Sequence, residues 1–487
     1  MTSVCRASGR PCSLPTDLPR PSTDAPAFDA GLLSPVSAGV GAELADAAVF
    51  GALVAAETAL VRAWGGVGVA PRAAVTEVSE RFGWAGPGEP CTVPDPPLVD
   101  VVAGSANGGN PVIPLVAVLT ERVSPECRTW VHRGATSQDI LDSALMLVAR
   151  QSGALILADV RNTERALTDF VREHRGTVAA ARTLTQHAVP TTMGLRASGW
   201  LRGIRRAADR LDALLPELPA QLGGAGGTLA SFAEIARGAG SAVPGTVSAL
   251  VAAYAAELTL AAPDAPWHTV RWPVTELADA LTQVVDALGV LASDVATLSR
   301  TEIGELAEGA AGGSSAMPQK RNPAGAVLVR SAALRAPQLA ATLHLASALA
   351  GDERPDGAWH AEWPTLRELL RLTRGAAAQA LRLVSGLRVD TGAVSRNLAL
   401  TDGLIVAERL AIVLGPVLGA ERVREIVRAA GQRGHGGPGN DLASLLRVEP
   451  GLAEAGIDVA ALLDPAQYLG LAAQLTEGIS HPSQETT

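Results

Sequence analysis

The feature that most constrains this chain is a stretch of helix-favouring residues, 272–309, that contains hardly any helix breaker. It reads WPVTELADALTQVVDALGVLASDVATLSRTEIGELAEG, and it is far longer than the average helix of about 11 residues. A helix of this length must bury its apolar face against other long helices, because water would otherwise cover that face. We therefore predict a bundle of long antiparallel helices.

The same helical pattern recurs along the chain, and the composition contains little that favours sheet. Apolar residues make up 47% of the sequence but aromatic residues only 3%, which predicts an all-α fold class. At 487 residues the chain is long enough for two or three domains. Residues 1–28 are rich in Pro, Ser and Thr without an apolar centre, so we expect a disordered tail there.

Charge and cysteine usage exclude several classes of function. The formal net charge is −9 without a run of Lys or Arg, so we expect neither a nucleic acid nor a membrane surface as a partner. The four cysteines lack metal-ligand spacing, which predicts reduced thiols, no metal site and a cytoplasmic location. The most apolar segment, 242–263, carries Glu257 and falls short of the roughly 20 apolar residues of a spanning helix, so no membrane span is expected.

The segment GGSSAMPQKRNP, 312–323, interrupts the helical pattern with residues that suit a loop. Gly and Ser leave backbone N–H groups accessible, while Lys320 and Asn322 could direct a cation and an amide at one carboxylate. From these residues alone, a flexible linker is at least as good an interpretation as a lid over an anion.

Three segments resemble, in order, the signature regions of the fumarase/aspartase superfamily. They are HRGATSQDILDS (132–143), RTLTQHAVPTTMG (182–194) and GGSSAMPQKRNP (312–323). The wider similarity is greatest to the 3-carboxy-cis,cis-muconate cycloisomerase branch. It implies a three-domain all-helical fold with a long central bundle, a homotetramer whose sites combine three subunits, and no metal or organic cofactor. The implied domains are residues 29–125, 126–375 and 376–487.

The resemblance also implies a chemistry and a set of residues. Enzymes of this superfamily remove a proton from a carbon next to a carboxylate and then expel a group from the neighbouring carbon. The residues that match the family's motifs are Ser314 as the base, Lys320 and Asn322 as carboxylate donors, Thr136, Ser137 and Gln186 as substrate-binding groups, and His132 and His187 as possible proton relays. Preorganised donors of this kind stabilise the negative charge of the intermediate.

Several of these segments have a purely structural interpretation as well. TSQD, 136–139, is a good helix N-cap with Asp139 in the first turn. His187 could equally be a hydrogen-bonded polar residue on a buried helix. The aromatic segment WHAEW, 359–363, is typical of core and interface packing.

The sequence departs from the family pattern at several positions that the resemblance places near the site. Leu184 stands where amine-releasing members carry a histidine, which argues for a leaving group that is stable as an anion without a proton. Arg133 replaces an apolar residue and adds a bidentate anion donor. Arg271 remains from an Arg-Asp-Arg pattern that has lost its second arginine at Pro273, and we predict that Arg133 and Arg271 bind substrate.

These observations predict a lyase that acts on a small dicarboxylate. The leading hypothesis is β-elimination from a substituted succinate to give fumarate and an anion, with nitrosuccinate and nitrite as the best candidates. The main alternative is 3-carboxy-cis,cis-muconate cycloisomerisation in aromatic catabolism. A helical scaffold without catalytic activity is a remote third possibility.

Overall fold

The computed structural model describes residues 31–243, 245–309, 312–313, 317–431 and 441–477. The predicted tail, 1–28, lies outside these ranges. The helices are α1 (Asp46–Gly66), α2 (Arg72–Arg81), α3 (Leu98–Gly108), α4 (Val112–Glu121), α5 (Ser137–Glu173), α6 (Met193–Leu214), α7 (Ala230–Gly238), α8 (Gly245–Glu257), α9 (Trp272–Leu298), α10 (Ala324–Ala348), α11 (Gly357–Ser385), α12 (Thr391–Leu398), α13 (Ala407–Leu418), α14 (Ala420–Gly431), α15 (Leu442–Arg447), α16 (Pro450–Glu454), α17 (Val459–Leu463) and α18 (Ala472–Glu477). The chain is mostly helical, as predicted.

Five long helices, α5, α6, α9, α10 and α11, pack side by side as a bundle. Small residues allow the helices to approach closely: a Cβ atom added at Gly289 of α9 would lie 2.7 Å from the Cβ of Ala333 on α10. The prediction of long packed helices is therefore confirmed. The helix that begins at Trp272 is shorter than its sequence suggests, because α9 ends at Leu298 and the chain turns at Gly304, which has a φ of +63°.

Helices outside the bundle pack in two ways. Helix α1 packs against α5 and α8, and its buried residues belong to the same hydrophobic core as the bundle. Helices α13 to α17 instead enclose a separate small core, made of Leu410, Leu414, Val423, Ile426, Leu442, Leu446, Leu452 and Leu462. The three domain boundaries stay a prediction.

Two short antiparallel sheets interrupt the helices of the described chain. Strands β1 (Val178–Thr183) and β2 (Gln186–Thr192) form a hairpin, and β3 (Leu306–Ala307) pairs with β4 (Arg388–Val389). The expectation that His187 could lie on a buried helix is wrong, because it lies in β2 opposite Arg182. A two-residue turn at Leu184 and Thr185, with φ values of 48° and 71°, forces the chain back on itself.

The bundle has two distinguishable ends. The first end contains the beginnings of α5, α9 and α11, since Arg271 before α9 bonds both Asp142 of α5 and Glu362 of α11. The second end contains the hairpin and the end of α9, where Trp200 Nε1 donates to Asp294 at 2.7 Å. Helix α5 has 37 residues. At 1.5 Å per residue, the two ends of α5 are roughly 55 Å apart.

Three helices, α1, α5 and α9, are long and apolar enough by length and composition to cross a membrane. In their most apolar windows, 78%, 67% and 50% of the residues are buried inside the fold. Packing within the fold therefore accounts for much of their hydrophobicity. The apolar segment 242–263 contributes only the 13-residue helix α8.

Candidate functional site

The N-terminus of α5 is built around the buried carboxylate of Asp139. Thr136 is the N-cap of this helix, and its backbone N–H donates to Asp139 at 3.0 Å. The backbone N–H groups of Gly223 and Gly224 donate to the same carboxylate at 2.8 and 2.9 Å. His268 Nε2 lies 2.9 Å from the Asp139 carboxylate. The N-cap interpretation of TSQD is therefore correct, and the hydrogen bonds to Asp139 also explain why the loop at Gly223 and Gly224 lies against the helix start.

Arg354 joins this end of the bundle, although the sequence analysis did not select it. Its guanidinium hydrogen-bonds to the hydroxyl of Thr136 and lies 3.4 Å from the carbonyl oxygen of Ala225. Its position in the segment AGDERPDG, between two long helical stretches, is the sequence feature from which a contact at the end of the bundle could have been predicted. A long side chain from the loop before α11 thus brings a positive charge to the first turn of α5.

His132 precedes the helix and is held by a carboxylate from another helix. Its ring Nδ1 lies 2.7 Å from Glu57 Oε1, and its backbone N–H donates to Glu57 Oε2 at 3.1 Å. Burial opposes charging of the ring, but the negative charge of Glu57 and the hydrogen bond to it outweigh burial. With a further contribution from Asp139, they raise the pKa of His132 above its usual value.

Arg133 and Ser137 flank the same helix start. The Arg133 guanidinium stacks over the ring of Trp130 at 4.6 Å and donates to the carbonyl oxygen of Thr129 at 3.2 Å. Its Nε is buried and has no hydrogen-bond partner in the described part of the chain. Ser137 is half-buried as the first residue of α5. Both predicted binding residues therefore lie close in sequence and space to Thr136.

Arg271 occupies a different environment from the other predicted binding residues. It is buried, and its guanidinium bonds two carboxylates, Asp142 and Glu362, while stacking on Trp267 at 4.7 Å. Trp359 donates to Asp142 at 2.9 Å. In this arrangement Arg271 is a core ion pair with its donors already engaged. Trp359 and Glu362 of WHAEW are likewise buried, which fits the core part of its structural interpretation, while His360 and Ala361 are exposed.

The second end carries the hairpin residues. Gln186 is exposed and lies beside the turn, where its amide is 3.5 Å from the Thr185 hydroxyl. His187 is half-buried, and burial followed by the charge of Arg182 lowers its pKa, against the opposing effect of Glu305. Leu184, at the tip, is 96% exposed. Position 184, where amine-releasing members of the superfamily carry a histidine, is therefore exposed to solvent in a single chain.

The hairpin is anchored by a buried ion pair at its base. Arg182 donates to the buried carboxylate of Glu305 at 3.1 and 2.5 Å, and Asn397 donates to it at 2.8 Å. Burial would raise the pKa of Glu305, but these hydrogen bonds and the charges of Arg182 and Arg196 lower it. The hairpin tip with Leu184 thus projects from a base that an ion pair and further hydrogen bonds hold in place.

The described residues of the segment 312–323 also lie at the second end. Gly312 and Asn322 close its base with two backbone hydrogen bonds of 2.9 and 3.0 Å. Glu308 accepts from the N–H groups of Gly325 and Ala326, which fixes the start of α10. Lys320 is exposed, and the Asn322 amide lies 3.4 Å from the carbonyl oxygen of Gly313. Ser314, the predicted base, lies outside the described residues.

One chain therefore brings the predicted residues together in two groups. His132, Arg133, Thr136 and Ser137 lie at the first end, whereas Gln186, His187, Lys320 and Asn322 lie at the second. With roughly 55 Å of α5 between the ends, a small substrate cannot touch both groups in one chain. Within the described ranges, no group of three or more His, Cys, Asp or Glu side chains could hold a metal ion.

Comparison with known proteins identifies the family of this chain. A family model described as "Lyase" matches residues 103–337. The chain is 46% identical over 462 residues to a nitrosuccinate lyase of Streptomyces davaonensis, covering 92% of this chain and 94% of that one. The chain belongs to the fumarase/aspartase superfamily. It is thus a lyase of that superfamily, and the identification made from its three signature segments is confirmed.

Other members of the fumarase/aspartase superfamily are similar in sequence and in fold. A 3-carboxy-cis,cis-muconate cycloisomerase of Pseudomonas aeruginosa is 39% identical over 430 residues, which cover 85% of this chain and 88% of that protein. The crystal structure of 3-carboxy-cis,cis-muconate lactonizing enzyme from Pseudomonas putida matches with a TM-score of 0.79 and 35% identity, over 90% of this chain and 95% of that one. These similarities explain why the all-helical architecture was predictable from the motifs.

Proposed function

We propose that this chain catalyses β-elimination of nitrosuccinate to fumarate and nitrite. The observation that carries the proposal is its 46% identity to a nitrosuccinate lyase, which extends over 94% of that relative. The leaving group supports it independently. Nitrite departs as a stable anion, and the hairpin tip holds Leu184, which cannot donate a proton, where amine-releasing members hold a histidine.

In the proposed reaction, Ser314 takes a proton from the carbon next to a substrate carboxylate. The electron pair of that C–H bond first spreads into the carboxylate and then forms the new carbon–carbon double bond. The pair of the breaking C–N bond leaves with nitrite, so the reaction is redox-neutral and calls for no electron carrier. Lys320 and Asn322 would stabilise the extra negative charge, and one such donor contributes about 2.7 to 4 kcal/mol.

The first end offers the donors that would hold the rest of the dianion. The N-terminus of α5 carries a partial positive charge, and the hydroxyls of Thr136 and Ser137 lie on its first turn. Arg354 contacts Thr136, and Arg133 has an unpartnered Nε within the described residues. We propose that these groups bind the second carboxylate and the nitro group.

We further propose that a homotetramer completes each site, with one chain supplying the first end and others the second. Helix α10 supports this proposal, because six of its exposed residues form a seam along one face. These residues recur at alternating spacings of four and three, as in a coiled coil. The seam residues are Val327, Ser331, Leu334, Gln338, Ala341 and Leu345. Leu334 and Leu345 are 79% and 64% exposed in the single chain, and a second copy of α10 would cover them. We also propose a cytoplasmic location.

The deciding experiment supplies purified protein with nitrosuccinate and, separately, with 3-carboxy-cis,cis-muconate. We expect stoichiometric nitrite and fumarate from the first and no change of the diene absorbance of the second. Lactone formation without nitrite release would overturn the proposal in favour of the cycloisomerase. That alternative is supported by the 39% identical relative and by the lactonizing enzyme of similar fold.

The oligomer has its own test. The double substitution Leu334→Glu, Leu345→Glu places two charges on the seam, where two chains would otherwise bury leucines. We expect a smaller species in analytical ultracentrifugation, together with loss of nitrite release. Leu155→Glu is the matched control, since Leu155 is also exposed (43%) but lies on α5. An unchanged sedimentation coefficient for the double variant would exclude the seam as an interface.

A further inference from the structure

Glu57 is a fully buried carboxylate on α1 whose two oxygens both bind His132. Oε1 lies 2.7 Å from the ring Nδ1, and Oε2 accepts the backbone N–H at 3.1 Å. The side chain of Glu57 is 0% exposed, whereas that of His132 is 21% exposed. The carboxylate therefore reaches from the protein core to a ring that solvent can touch.

The contact with Glu57 lies at a residue with an unusual backbone conformation. His132 has a φ of +56°, a region that residues other than glycine rarely adopt. Helix α1 secures the adjacent residue too, because Trp64 Nε1 donates to the carbonyl oxygen of Arg133 at 3.1 Å. Glu57 and Trp64 are seven residues apart, two turns along one face of α1. One face of α1 thus fixes the segment just before α5.

The hydrogen-bonding chemistry determines which ring nitrogen remains available. An ionised carboxylate only accepts hydrogen bonds, so Nδ1 of His132 must carry the proton that Glu57 binds. Nε2 is then the nitrogen that Glu57 does not engage. A buried carboxylate also costs much less free energy when it faces a positive charge than when it stands alone. The hydrogen bond thus fixes a proton on Nδ1, and the negative charge of Glu57 favours a second proton on Nε2.

We propose that Glu57 is a positioning residue that fixes the tautomer and charge of His132, so that a cationic ring presents its Nε2–H to the dianionic substrate. The inference rests on the proposed function for the identity of that dianion. Glu57 from α1 and Asp139 from α5 are the acidic groups whose charges act on the ring. Arg133, next in sequence, turns its guanidinium onto Trp130.

The test is the pH dependence of catalysis by Glu57→Gln. The cation at His132 is present below its pKa and disappears as the pH rises through that value. Since the Glu57 charge raises this pKa, Glu57→Gln should lower it, and the alkaline limb of kcat/KM should move to lower pH. Glu57→Asp retains the charge, so its alkaline limb should stay closer to the wild-type position even if kcat falls.

A matched control distinguishes positioning from general structural support. Glu77 on α2 also accepts a backbone N–H, from Ser124 at 2.7 Å, but it has no contact with His132 among the described residues. Glu77→Gln should leave the alkaline limb in place. Thermal unfolding of all three variants shows whether each is folded before its profile is interpreted. A wild-type alkaline limb in folded Glu57→Gln would overturn the inference.

A second readout is independent of the substrate assignment. The chain has 8 histidines, so ¹³Cε1-histidine labelling gives few resonances, and His132→Gln identifies the one that belongs to His132. We expect its titration to shift to lower pH in Glu57→Gln and to be unchanged in Glu77→Gln. If wild-type protein releases no nitrite, the proposed function fails while this titration still decides the role of Glu57. Identical His132 titrations in wild type and Glu57→Gln would refute it.

Discussion

The first and second ends of the bundle use polar residues in opposite ways. At the first end, Asp139 is buried, and its carboxylate accepts three backbone hydrogen bonds and contacts His268. At the second end, Gln186 and Lys320 are exposed, although the buried Glu305 anchors the hairpin below them. One end is organised within a single chain, whereas the other presents its predicted site residues outward.

The difference indicates how the two ends would share the work of catalysis. Groups fixed by buried hydrogen bonds are already oriented before substrate arrives, so they suit binding and orientation. Exposed groups on a loop and a hairpin can move and can meet another chain, so they suit closure and proton removal. Substitutions at the first end should therefore affect folding as well as activity, and substitutions at the second end should affect activity alone.

The largest effect is expected for Ser314→Ala, which removes the predicted base. Loss of the base should reduce kcat by about 10²- to 10⁴-fold, the usual contribution of a positioned base. The oligomer should remain intact, because a serine-to-alanine change removes only a hydroxyl. Steady-state nitrite release and sedimentation velocity measure the two quantities. Retained turnover would remove Ser314 as the base.

Next in size is Arg271→Met at the first end. This substitution leaves Asp142 and Glu362 buried without their cation, and breaking such a pair typically costs about 3 to 5 kcal/mol of unfolding free energy. Urea denaturation measures this quantity, with Arg335→Met as the control, since Arg335 forms a half-exposed pair with Glu368. An equal loss in both variants would contradict the assignment of Arg271 as a core ion pair.

A smaller effect on activity is expected for Lys320→Gln at the second end. Loss of one such carboxylate donor costs about 2.7 to 4 kcal/mol of transition-state stabilisation, so kcat/KM should fall roughly 10²- to 10³-fold. Lys320 is exposed, so the unfolding free energy should change by no more than about 0.5 kcal/mol. Arg321→Gln, at the exposed neighbour, is the control. A large loss of stability without loss of activity would reverse the proposed contrast between the ends.

The smallest effect is expected for Leu184→His at the hairpin tip. It restores the residue type of the amine-releasing members, but nitrite needs no proton to depart. Nitrite release should therefore change by less than about threefold, and stability by at most about 0.5 kcal/mol, since the side chain is 96% exposed. Rates measured from pH 6 to pH 9 provide the comparison. A large acceleration would show that proton donation to the leaving group limits the reaction.

The sequence predicted some parts of the candidate site and not others. TSQD predicted the N-cap of α5, because capping depends on residues a few positions apart. Arg354 was not selected, since its contact with Thr136 joins positions far apart in the chain. Arg271 was selected for binding, yet its carboxylate partners lie on two other helices. Sequence-local patterns do not contain such long-range pairings.

The sequence by itself determined the helical class, the long bundle helices and the superfamily. Helix periodicity is local, and the signature segments are contiguous, so both can be read without a structure. Only the tertiary structure decided that Arg271 is buried between two carboxylates, that Glu57 binds His132, and that the motifs lie at opposite ends of a roughly 55 Å helix. Those facts depend on how distant segments pack, which the folded chain as a whole determines.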